Sequence, residues 1–191
     1  YKTIMTQGVP ESYLAEMIKN WENNLPDCMK LAYLPRPGIV RLRLTVSGKC
    51  AEDGEQLLQK YIDKLLEIIP EHIYGYDDLP IEKALGVILN EKGLKLATAE
   101  SCTGGNIARM LTSVPGSSAY FLGSVIAYSN EIKTRELDVK QSNLDRFGSV
   151  SKEVVEEMVS GVLEKYNANV AVATSGVAGP GGGSEEKPVG T

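Results

Sequence analysis

The sequence predicts an α/β protein in two parts: a small α+β unit, then a three-layer α/β domain with helices on both faces of its sheet. Three observations carry this reading. The short apolar segments LKLATA (94–99), SVIAY (124–128) and VAVAT (170–174) alternate with helical patterns, as strands buried on both faces do. IVRLRLTV (39–46) instead alternates apolar and polar residues between two amphipathic helices, the pattern of a half-buried sheet. IYGYDDLP (73–80) combines Gly, acidic residues and Pro, the composition of a linker or turn. It sets the domains at 1–76 and 77–191, and a length of 191 residues accommodates two domains of ordinary size.

In chain order, the first element is a helix over 11–21, where Tyr13, Leu14, Met17, Ile18 and Trp21 share one face. The strand 39–46 follows, with Val40, Leu42, Leu44 and Val46 inward and Arg41, Arg43 and Thr45 on a wet face. A second helix from Asp53 to Ile69 carries Leu57, Leu58, Tyr61, Ile62, Leu65, Leu66 and Ile69 on one side and stops at Pro70. This unit reads as helix, strand, helix. The second part opens with a helix from Ile81, whose Ile81, Ala84, Leu85, Ile88 and Leu89 face a sheet, and Gly93 suits a left-handed C-terminal cap. Helical stretches near 105–113 and 151–165 separate the three apolar strands, the latter N-capped by Ser151.

Bulk composition excludes several function classes. The chain carries 20 basic and 25 acidic side chains for a net charge of −5, so nothing favours a polyanion as partner, and nucleic acid is disfavoured. No apolar run reaches the roughly 20 residues a bilayer span needs, which argues against a membrane partner. Cys28, Cys50 and Cys102 are odd in number and widely spaced, and they read as reduced thiols in a cytoplasmic protein. His72 is the single histidine, so His-based zinc sites and a Ser-His triad lack their raw material. A hydrolase on this scaffold must use another base.

In doubly wound sheets, sites gather at the carboxyl ends of strands, where ESCTGG, YSNEIK and TSGVAGPGGG all fall. A strand running into Ser101, Cys102, Thr103, Gly104 and Gly105 and then a helix aims backbone amides at whatever lies over the turn, which suits an anion or a developing oxyanion. The segment matches neither GxSxG nor a P-loop, and a purely structural turn stays equally open. A serine nucleophile needs a base. Lys133 is the candidate, since a desolvated lysine accepts a proton. By spacing alone, a solvated helix face weighs more for it. Five glycines within 174–183 offer amides to a phosphate or carbonyl oxygen, or form a flexible surface loop. Tyr128 either orients a ring or belongs to a core.

Taken together, LATAESCTGG, GSSAYFLGSVIAYSNEIK, FGSVSKEVVEEM and TSGVAGPGGGSEEKPVGT resemble the carboxy-terminal domain of the CinA (competence/damage-inducible protein A) family, nicotinamide-nucleotide amidase. TQGVPESYLAEMI and LAYLPRPGIVRLRL resemble the family's KH-like middle domain. The resemblance implies hydrolysis of nicotinamide mononucleotide to nicotinic acid mononucleotide and ammonia, with no cofactor or metal, in a cytoplasmic homodimer. By motif, it implies Ser101 as nucleophile and Lys133 as base, with Thr103, Gly104, Gly105, Tyr128, Ser175, Gly176 and Gly179 lining the substrate pocket.

The family pattern also includes an amino-terminal domain associated with ADP-ribose pyrophosphatase activity and a continuation of the catalytic domain past PVGT. The expectation is therefore a truncated chain. Two rival readings accompany the amidase: a binding module that holds a nucleotide or partner without turnover, and RNA binding through the KH-like unit. The KH-like unit has no GXXG loop in the expected helix-turn-helix setting, and this together with the acidic balance argues against the last. Within AESCTGG, Cys102 is expected to be buried as a small apolar residue.

Overall fold

The structure, a computed structural model, describes residues 1–50 and 52–191. The chain divides into two compact units, Tyr1–Ala84 and Leu85–Thr191.

The first unit runs β1 (Lys2–Gln7), α1 (Glu11–Asn23), β2 (Met29–Arg36), β3 (Ile39–Val46), α2 (Gly54–Ile68) and β4 (Ile73–Tyr76). Its antiparallel sheet has the order β2-β3-β1-β4. Three of these strands escape the sequence pattern. β1 and β2 lack a clean alternation, and β2 carries Pro35, a residue tolerated because β2 lies at the sheet edge. IYGYDDLP, read above as a linker, begins with the other edge strand: β4 pairs with β1 through Ile4↔Tyr76 and Met5↔Gly75.

The core is built as the periodicity requires, from Leu14, Ile18 and Trp21 of α1, Val40, Leu42 and Leu44 of β3, and Leu58, Ile62 and Leu65 of α2. Tyr13 and Met17, expected on the buried face of α1, are exposed. Trp21 Nε1 donates to Tyr61 O at 3.0 Å, which gives the one polar atom of a buried indole its partner.

Cys28 and Cys50 form a disulfide, which corrects the reading of three reduced thiols. The cause is register. Met29 pairs with Val46 at the open end of the β2–β3 hairpin, and Ser47 N donates to Cys28 O. The short 3-10 turn Gly48–Cys50 then brings the second cysteine back to the first. A spacing of 22 residues is silent about this; the antiparallel pairing decides it.

The second unit contains most of α3 (Ile81–Glu91), then β5 (Leu96–Glu100), α4 (Asn106–Thr112), β6 (Phe121–Ile126), α5 (Asn130–Leu137), α6 (Gln141–Phe147), α7 (Lys152–Tyr166) and β7 (Val170–Thr174). The sheet is parallel, in the order β6-β5-β7. Helices cover both faces, as expected. Ala97, Ala99, Val125, Leu137, Val154, Met158 and Val162 form one core with α5–α7. Leu89, Leu96, Leu111 and Tyr120 form the other with α3 and α4.

Caps set the helix ends. Ser151 Oγ accepts from Val154 N at the start of α7, and Gly93 takes the left-handed conformation after α3 (φ +63°). Ile81 and Ile88 of α3, expected to face a sheet, are instead partly exposed. Among the described residues, no helix is long and apolar enough to cross a membrane.

Candidate active site

The crossover from β5 through α4 moves the chain to one neighbour, and the crossover from β6 through α5–α7 carries it past β5 to the other. These connections use opposite faces, so a crevice opens at the carboxyl ends of the strands. Ser101 follows β5, Lys133 sits in the first turns of α5 after β6, and Ser175 follows β7. Together they line a cleft of about 340 Å³.

Lys133 is 1% exposed. Its Nζ donates to Ser101 Oγ at 2.9 Å, Ala127 O at 2.7 Å and Tyr128 O at 3.2 Å. Local structure explains the aim. Ser129 caps α5, its Oγ accepting from Ile132 N, and Lys133 N donates to Ser129 O. The lysine stem therefore folds back over the helix start, in the direction helical side chains naturally lean. Burial pushes its pKa down from the ordinary lysine value, a shift the neighbouring Cys102 partly opposes.

The three contacts serve both protonation states. An ammonium donates all three hydrogens. A neutral amine keeps two hydrogens on the carbonyls and turns its lone pair to the Ser101 hydroxyl.

Glu100, the carboxylate that ends β5, is fully buried. Its Oε2 accepts from Thr103 Oγ1 (2.7 Å), Ile107 N (3.0 Å) and Gly105 N (3.1 Å), and its Oε1 from Ala108 N (2.8 Å). Desolvation pushes its pKa up, but the bonds from Ala108, Thr103, Ile107 and Gly105 outweigh burial and hold it below the usual carboxylate range.

This corrects the expectation that the amides at the α4 start face a ligand, because Glu100 takes them. Ser101 N donates to Thr174 O and Gly104 N to Ser101 O. Among the described residues, the amides of Cys102 and Thr103 have no backbone acceptor.

Residues 78–191 match the CinA C-terminal domain, and residues 1–75 match the damage-inducible protein CinA KH domain. The chain belongs to the CinA family. It is 49% identical over 191 residues to a CinA-like protein of Cytophaga hutchinsonii and 47% identical over 192 residues to one of Flavobacterium psychrophilum. All of the chain aligns in both cases but only 46% of either relative, so it spans about half their length.

Among solved structures, it is similar to competence/damage inducible protein CihA of Agrobacterium tumefaciens. The TM-score is 0.56 and the identity 45%, covering 57% of this chain and 66% of that one. A CinA superfamily protein of Escherichia coli gives a TM-score of 0.55 at 35% identity, covering 57% of this chain and 63% of that one.

Of the CinA-derived site expectations, Ser101, Lys133, Tyr128, Ser175, Gly176 and Gly179 line the one cleft. Tyr128 stands at its mouth, 74% exposed. Ser175 Oγ donates to Ser149 O, which ties the β7 loop to the segment before α7. Thr103, Gly104 and Gly105 lie outside the lining. The Thr103 hydroxyl bonds Glu100 and Thr174, and the Gly105 amide bonds Glu100. An added Cβ on Gly105 would stand 2.9 Å from Ile126 Cδ1.

Cys102, expected in a core, is half-buried and faces the cleft. Sequence reasoning gave no site role to Ser149 and Val150, which line the cleft beside the loop 175–182, because no spacing relates them to Ser101. It also left Glu100 without a role. The signal available was a carboxylate closing an otherwise apolar strand directly before a helix.

Proposed function

We propose that the second unit carries the Ser/Lys dyad of a nicotinamide-nucleotide amidase. The observation that carries this reading is the 2.9 Å contact between a buried lysine amine and the Ser101 hydroxyl at a doubly wound sheet's ligand-binding edge. Family membership supports it. The cleft lining contains no carboxylate, which suits a substrate bearing a phosphate.

Neutral Lys133 accepts the Ser101 proton as Oγ attacks the carboxamide carbon of nicotinamide mononucleotide. The free amide of Cys102, beside the nucleophile, donates to the tetrahedral oxyanion. Protonated Lys133 returns its proton to the leaving nitrogen, and ammonia departs. Water, deprotonated by Lys133, then attacks the acyl-enzyme and releases nicotinic acid mononucleotide, restoring the Ser101 hydroxyl. Ala127 O and Tyr128 O hold the amine on line in every step.

The test is to incubate this chain, and the protein at its relatives' full length, with nicotinamide mononucleotide and measure ammonia and nicotinic acid mononucleotide. The expected result is equal release of both, lost in Ser101→Ala. Folded protein that releases no ammonia at either length overturns the reading; if it still binds the nucleotide, a binding module takes its place.

A further inference from the structure

The proposed mechanism leaves Glu100 unused, yet Glu100 is the most heavily bonded side chain near Ser101. Its carboxylate collects one hydroxyl and three amides, from Thr103, Gly105, Ile107 and Ala108. A carboxylate without exposure needs such partners simply to stay ionised in the interior.

The bonds also fix everything that follows Ser101 for a turn and a half. Because the Thr103 hydroxyl donates to Glu100, its oxygen is left to accept from the Thr174 hydroxyl at 2.8 Å. Thr174 in turn accepts the Ser101 amide through its carbonyl. A closed circuit therefore runs from Glu100 to Thr103, to Thr174, to the backbone of Ser101. Glu100 itself lies outside the cleft lining.

The circuit does two things to the cleft. It holds the Ser101 backbone from both sides, at its own amide and through the turn after it, so that Oγ stays over Lys133. It also removes the Gly105, Ile107 and Ala108 amides from competition for an anion, and leaves the Cys102 and Thr103 amides as the free donors of the turn. With α4 neutralised by a built-in carboxylate, the phosphate end of a substrate gains nothing by binding there.

We propose that Glu100, acting through Thr103, is a positioning residue of the Ser101 site: it sets the nucleophile's geometry and the orientation of the Cys102 amide without touching substrate. This rests on the reading of Ser101 and Lys133 as a catalytic dyad.

The test compares wild type with Glu100→Gln, Thr103→Val, Thr103→Ser and Ser101→Ala. It uses turnover of nicotinamide mononucleotide and, separately, the rate at which a fluorophosphonate labels Ser101. Thermal unfolding accompanies each variant to establish that it is folded at the assay temperature. Thr103→Val keeps the shape and removes the hydroxyl, so it stands in if Glu100→Gln does not fold.

The expected result is a kcat lowered by about 10- to 100-fold in Glu100→Gln and Thr103→Val, from a displacement of well under 1 Å to about 1 Å. KM should stay within about twofold, since uniform binding is untouched. Labelling should slow in parallel, and Thr103→Ser, which restores the hydroxyl, should recover most of the loss.

Folded variants that lose thermal stability but keep wild-type kcat and labelling rates make Glu100 a purely structural cap and overturn the inference. A raised KM at unchanged kcat overturns it as well. Wild type that labels at Ser101 but releases no ammonia sinks the substrate assignment alone, and the labelling rates still decide for or against Glu100. Wild type that neither labels nor turns over sinks the dyad and this inference together.

Discussion

Lys133 Nζ meets Ser101 Oγ across 32 residues of sequence because β5 and β6 are neighbours in a parallel sheet. One residue directly follows the first strand, and the other lies at the end of the first turn of the helix after the second. Adjacent parallel strands deliver their carboxyl ends side by side, so two residues without any sequence relation come within hydrogen-bond range.

Ser101 and Cys102 separate cleanly by mutation. Ser101→Ala should lower ammonia release from nicotinamide mononucleotide by about a thousandfold or more, the usual scale for removing a nucleophile. Cys102→Ala keeps the backbone amide and should change the rate only a few-fold. The opposite pattern would move the nucleophile to Cys102.

Burial of Lys133 makes two pH dependences predictable. As the proposed base, Lys133 would work when neutral, so kcat/KM should rise with pH through its lowered pKa and then level. Lys133→Arg should not rescue turnover, because a guanidinium stays protonated.

For stability, the sign is that of a depressed lysine. Below its folded pKa the buried ammonium carries its full cost, and between the folded pKa and the unfolded value of about 10.4 the folded state binds fewer protons, so stability rises with pH. The melting temperature of Lys133→Met relative to wild type should therefore be most favourable below the folded pKa and decline as pH rises from there towards the unfolded value. A difference independent of pH would show that Lys133 is not desolvated.

Gly161 lies inside α7, where glycine costs about 1 kcal/mol relative to alanine. It is needed because the helix crosses the end of α5 there: an added Cβ would stand 2.7 Å from the Leu137 carbonyl carbon and closer still to its oxygen. Gly161→Ala should accordingly destabilise by about 1–3 kcal/mol despite its better helix propensity. Urea unfolding measures this, and a stabilised variant would refute the contact.

The Cys28–Cys50 pairing predicts alkylation counts. Unfolded without reductant, the chain should take up one iodoacetamide, on Cys102; after reduction it should take up three. Closing a loop of this size should stabilise the first unit by about 3 kcal/mol, read as a lower melting temperature on reduction. Three labels without reductant would mean free thiols in solution.

Much of the fold was legible wherever one periodicity dominated. α2 and α7 carry unbroken apolar stripes, β3 alternates, and β7 is a short apolar run, so each could be placed from local pattern. β1, β2 and β4 could not. KTIMTQ and MKLAYLPR have mixed patterns, and IYGY is four residues long beside acidic and proline residues that signal a turn. Their strand character comes from the neighbours they pair with.

The sequence by itself determined the two-part α/β organisation, the family, and the segments that meet at the candidate site, because each rests on composition or on motifs contiguous in the chain. Tertiary structure alone decided which groups meet. It brought Lys133 to Ser101, Cys28 to Cys50 and Ser175 to Ser149, and it turned Glu100 inward to take the α4 amides that the local pattern offers to a ligand. The physical reason is that burial and hydrogen-bond pairing depend on sheet order and strand register, which are properties of contacts between distant segments and leave no mark on local spacing.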